Sequence, residues 1–135
     1  MSEIIEKMAK IPDLNVMQGC SESQISEAET ELDLKFPQEY LDYVRKYGGM
    51  DFGAAEWTGL NVGGVFNTVT ATKQEQEVNP DFPKGFFVLE NLGIDARLVI
   101  VNEKGEVYLL QHDKKTKLYD SISEYLESRI KENES

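Results

Sequence analysis

Apart from carboxylates, few side chains here are able to do covalent or acid–base chemistry. His112 is the single histidine and Cys20 the single cysteine. Ser-His-Asp and Cys-His catalysis would both have to run through His112, and a zinc site built on several imidazoles is excluded. His112 stands beside Asp113 and ahead of Lys114, Lys115 and Lys117, which reads as a strand entering a turn and points to a structural role. Cys20 precedes a serine-rich helix start whose dipole would lower a thiol pKa, but Glu22 opposes that effect and no histidine is placed to help. A passive thiol is expected. Gly48-Gly49 and Gly63-Gly64 lack the lysine of a phosphate-binding loop and the strand-to-helix setting of a dinucleotide site, so they read as turns. The Asp-x-Asp-x-Asp spacing of a calcium loop is absent. With 25 acidic side chains in 135 residues, carboxylate pairs arise from abundance and no one pair marks glycosidase-like chemistry. The residues therefore predict no enzyme, no catalytic residue, no cofactor and no dedicated metal site.

What they do predict is binding. The formal net charge is −11, so a phosphate backbone would be repelled at range and direct nucleic-acid binding is not expected. The acids are also unevenly placed. No base lies between Lys10 and Lys35, where Glu27 and Glu31 fall, or between Lys46 and Lys73, where Asp51 and Glu56 fall. Such runs are either plain solvated faces or a surface complementary to a basic partner, whose approach the field would steer. Trp57, the single tryptophan, is either core or, if partly exposed, an anchor for a binding hot spot. Glu27, Glu31, Asp51, Glu56 and Trp57 are the candidate partner-binding residues.

The elements that must position these residues follow from periodicity. Ile4, Ile5 and Met8 mark a first helix that ends near Ile11, because Pro12 cannot extend it. Ser21 and Ser23 are candidate N-caps, with Gln24 three residues after Ser21, and they precede Ile25, Ala28 and Leu32, a second helix with Glu27, Glu29 and Glu31 on its other face. Pro37 suits the first turn of a third helix, with Tyr40, Leu41, Val44 and Tyr47 as its buried stripe and Gly48-Gly49 as its stop. Glu56 to Leu60 and Val65 to Thr70 read as short strands, while Thr72 to Val78 fits either a surface helix or a loop. Phe86 to Glu90, Ala96 to Val101 and Glu106 to Gln111 are the clearest strands. The last two join through Asn102-Glu103-Lys104-Gly105 in a hairpin expected at the centre of the sheet. Ser121 opens a C-terminal helix carrying Ile122, Tyr125, Leu126, Arg129 and Ile130. This order predicts an α+β fold, a mainly antiparallel sheet with N-terminal helices and a C-terminal helix packed on one face.

The length suits one domain over residues 1–135, with a core at about 21–130. A lone cysteine and no recognisable signal peptide point to the cytosol. The apolar runs are far shorter than the ~20 residues a membrane helix needs.

Ile25-x-x-x-Glu29-x-x-Leu32, then Phe36-Pro37-x-x-Tyr40 and Gly48-Gly49, resembles the N-terminal signature of the SUKH superfamily. Gly93-Ile94-Asp95, Gly105-Glu106-Val107-Tyr108, Gln111-His112-Asp113 and Asp120-Ser121 resemble its second half in the same order. The resemblance spans roughly residues 21–130 and implies an α+β fold whose work is protein binding. In many bacterial members that work is neutralising a nuclease toxin as an immunity protein; in other relatives it is cell-wall or signalling regulation. A basic nuclease cleft would then be the partner of the acidic surface.

Overall fold

In the computed structural model, which describes residues 3–134, five α-helices and seven strands form two antiparallel sheets. The elements run α1 Glu3–Ala9, β1 Asn15–Gln18, α2 Glu22–Leu32, α3 Gln38–Lys46, β2 Tyr47–Phe52, β3 Ala55–Trp57, a 3-10 turn Gly64–Phe66, α4 Thr68–Val78, β4 Phe86–Asn91, β5 Arg97–Asn102, β6 Val107–Gln111, β7 Lys114–Tyr119 and α5 Ile122–Glu134. This is the α+β architecture expected, with the antiparallel strands divided into a sheet ordered β1-β2-β3 and another ordered β4-β5-β6-β7. The predicted β5–β6 hairpin supplies both inner strands of the larger sheet. The Thr58 amide donates to the Leu89 carbonyl at 2.8 Å, joining the end of β3 to β4. No helix of the described residues is long and apolar enough to cross a membrane.

Local chemistry sets the helix ends. The Ser21 hydroxyl accepts from the Gln24 amide while the Gln24 side chain accepts from the Ser21 amide, a reciprocal cap on α2. Asp33, in the left-handed conformation at φ 53°, closes the same helix. Asn67 caps α4 by accepting from the amides of Val69 and Thr70. That cap resolves Thr72 to Val78 as helix and overturns the expectation of a strand at Val65 to Thr70. The β-branched run Val69-Thr70 is helical because the cap and the burial of Thr68, Ala71 and Thr72 outweigh strand propensity.

Gly48-Gly49 is a second correction. These glycines lie inside β2 and do not terminate α3, which ends at Lys46. A Cβ on Gly48 would stand 2.3 Å from both Asn61 Cβ and the Gln18 carbonyl oxygen. Close approach of neighbouring chain, not a helix stop, is what requires glycine there.

The helices also cover both faces of the larger sheet, not one. Phe87, Leu89, Val99 and Val101 point into the main core with α1, α2, α3 and α5, whereas Val88, Leu98 and Ile100 point the other way, onto Ala71 of α4 and Phe82. A bulge interrupts this alternation. Val88 pairs with Ile100 but Glu90 pairs with Val99, so Glu90 is turned toward α5. There its buried carboxylate accepts from the Tyr125 hydroxyl, from Arg129 Nη2 at 2.8 Å and from the Glu56 amide at 3.1 Å.

Candidate functional site

The outer face of β1-β2-β3 brings together two of the acids predicted from the sequence. Along β2, Met50 and Phe52 are buried and Asp51 between them faces outward; along β3, Ala55 and Trp57 are buried and Glu56 faces outward. Asp51 and Glu56 are direct cross-strand partners. On the other side of Asp51 lies Asn15, whose Nδ2 donates to Asp51 Oδ1 at 2.9 Å. Burial first, and then repulsion from Asp51 and Glu90, pushes the Glu56 carboxyl above its ordinary value. Neither Asp51 nor Glu56 has an ion pair among the described residues.

Beside this acid pair lies a groove whose shape depends on glycine. The Gly59 amide donates to the Phe66 carbonyl at 3.0 Å, the Asn61 amide donates to the Gly48 carbonyl at 3.0 Å, and Asn61 Nδ2 donates to the Gln18 carbonyl at 2.9 Å. These bonds fasten segment 59–66 across β1 and β2. Bare Gly49 is then the floor of a depression of about 170 Å³, with Met17, Val62 and Phe66 as apolar walls and Asp51 and Glu56 at its side. Glu56 and Phe66 also line a second depression of about 250 Å³, which continues to Val65, Val88 and Leu98. Met17 is 46% exposed, Phe66 42% and Val65 59%. Large apolar groups gathered at that exposure beside a charged rim are the composition of an interaction surface.

The other predicted residues lie elsewhere. Glu27 and Glu31 stand one turn apart on α2, at the rim of a shallow depression shared with Leu60 and Asn67. Trp57 is 1% exposed, so the core reading holds and the anchor reading, which required exposure, does not. Its ring meets Tyr43 edge-on at 5.6 Å and stacks on Tyr125 at 6.0 Å. Trp57 supports the groove from behind. The residues sequence reasoning missed are Met17, Gly49, Val62 and Phe66, scattered over 50 positions of chain and joined only by the folding of segment 59–66 over β2.

Cys20 and His112, expected to be structural, are not among the residues lining this groove. Burial pushes the Cys20 thiol up, the reverse of activation. His112 is exposed at the tight β6–β7 turn with φ 58°, and its carbonyl accepts from Asn79 Nδ2 at 2.9 Å. Among the described residues no three metal-binding side chains gather.

A family model described as SMI1-KNR4 cell-wall matches residues 1–131 of the chain. No curated protein matches it.

Proposed function

The chain belongs to the SMI1-KNR4 cell-wall family of the SUKH superfamily, and from that premise we propose that it is a cytosolic immunity protein which binds and neutralises a basic, nuclease-type toxin domain. One observation carries this reading: the three-stranded sheet and its covering segment, residues 58–67, contain no lysine or arginine, yet hold an unneutralised acid pair beside exposed apolar side chains. Of the bases that come near, Arg45 is forked onto Glu22 with both bonds at 2.9 Å, Arg129, which reaches the Ala54 carbonyl, is held by Glu90, and Lys46 stands before the first residue of β2, five positions from Asp51. The surface therefore presents negative potential with an apolar centre. A nuclease cleft, which must attract phosphate, offers the complementary charge.

The experiment is to mix the protein with the toxin domain encoded beside it and assay nuclease activity. Neutralisation at one-to-one stoichiometry is expected, and cleavage that persists at molar excess removes the immunity reading for that partner. The family's description favours a second reading, a regulatory protein-interaction module of the cell-wall type. A neighbouring gene that ends in a nuclease-like domain separates the two, since a regulator has no need of one.

A further inference from the structure

We infer that the groove floored by Gly49 is the seat of one arginine side chain presented by the bound protein. The inference rests on the protein-binding reading above and adds to it the occupant. Met17, Val62 and Phe66 offer an apolar channel for a methylene stem, and Phe66 is a partly exposed aromatic in that lining, the residue type on which a planar cation packs. Asp51 and Glu56 lie directly opposite each other on adjacent strands, an arrangement that places β-carbons about 5 Å apart and that costs stability when both groups are charged. A guanidinium, with several donors in a fixed plane, engages two carboxylates at that spacing, whereas an ammonium is a compact and more strongly hydrated point charge. Asn15 donates to one oxygen of Asp51 and holds the carboxylate in place from the strand on the side away from Glu56. A second copy of this chain is a poor occupant, because like acid pairs would face each other across the contact.

The glycine floor supplies a test that leaves the fold intact. A Cβ at Gly49 would lie 3.4 Å from both Met17 Cγ and Val62 Cγ1, ordinary packing distance, and would occupy the bottom of the groove. The probes are N-acetylarginine amide, N-acetyllysine amide and the uncharged isostere N-acetylcitrulline amide, titrated against 15N-labelled protein. The arginine compound is expected to shift the amides of Gly49, Asp51 and Glu56 saturably in the millimolar range. The lysine compound should bind several-fold more weakly and the citrulline compound at least tenfold more weakly. Gly49→Ala should weaken arginine binding about tenfold with an unchanged thermal midpoint, and Asp51→Asn should weaken it equally with a midpoint no lower than the parent's, since it relieves the repulsion with Glu56. Equal binding of citrulline, shifts centred on Glu27 and Glu31, or self-association abolished by Gly49→Ala would each overturn the inference. The neighbouring nuclease separates this inference from the reading beneath it. If Gly49→Ala no longer takes arginine yet neutralises the nuclease undiminished, the groove is not the seat and the immunity reading stands. If the groove takes arginine as expected and the nuclease is untouched, the immunity reading falls and the arginine seat stands.

Discussion

Single carboxylates decide how this surface responds to pH. The Glu56 carboxyl is raised by burial and by Asp51 and Glu90 above an ordinary value of 4.5. A folded-state pKa above the unfolded one means that the group's contribution is fully favourable below the ordinary value and is lost as pH rises through the raised one. Glu56→Gln should therefore be more stable than the parent at neutral pH, by about 0.5 kcal/mol for an exposed cross-strand pair, and equal to it in acid. Urea unfolding at both pH values measures this, and a difference independent of pH would refute the assignment. Glu90 belongs to the interior instead. It is a 1% exposed acid held by Arg129, which is itself largely buried, and by the Tyr125 hydroxyl, whose pKa burial and Glu90 together push far up. Arg129→Met leaves that charge without its partner and should cost about 3 to 5 kcal/mol, whereas Tyr125→Phe should cost about 1 to 2. Denaturant midpoints of the two variants give the comparison.

Among the elements, glycines separate what packing forbids from what it permits. A Cβ on Gly59 would come within 1.9 Å of the Gly48 carbonyl oxygen, backbone that cannot yield, so Gly59→Ala should lose about 3 kcal/mol while Gly49→Ala loses almost nothing. Thermal unfolding of the pair checks the claim that segment 59–66 is clamped onto β2. Removing the α2 cap with Ser21→Ala should cost about 1 kcal/mol by the same measurement. Elements with strong periodicity or a reciprocal cap were legible in the sequence: α2 from Ser21, Gln24 and Ile25, the β5–β6 hairpin from its apolar runs and Gly105, and α5 from Ser121. Those that were not lacked a local signal. β1 is four exposed residues without alternation, and β7 is lysine-rich because an open sheet edge is guarded by charge. Gly48-Gly49 carries the same letters as a helix stop, and only the segment lying against it reveals the difference. The acid pair was found as charge, but its pairing required the two-residue turn between β2 and β3. The apolar walls required tertiary structure altogether.

For the molecule as a whole, the excess of negative charge acts through association. Reversing Asp51 and Glu56 to lysine should slow binding to the neighbouring nuclease domain by tenfold or more at low salt, as lost steering does. Reversing Glu27 and Glu31, on a different part of the surface, should slow the on-rate and leave dissociation unchanged. Stopped-flow measurements at two ionic strengths test both, and on-rates indifferent to salt would remove the electrostatic account. The strand order supplies a last consequence. From β1 to β7 the strands of the two sheets follow one another through the Thr58–Leu89 bond, with the base-free sheet first and Lys114 and Lys115 on the last, outermost strand, where Lys117 is already neutralised by Glu106 and Asp120. A charge distribution this uneven carries a permanent electric moment. In the field of a positively charged neighbour it experiences a torque before it experiences contact, so tumbling is biased and the same end leads in successive collisions.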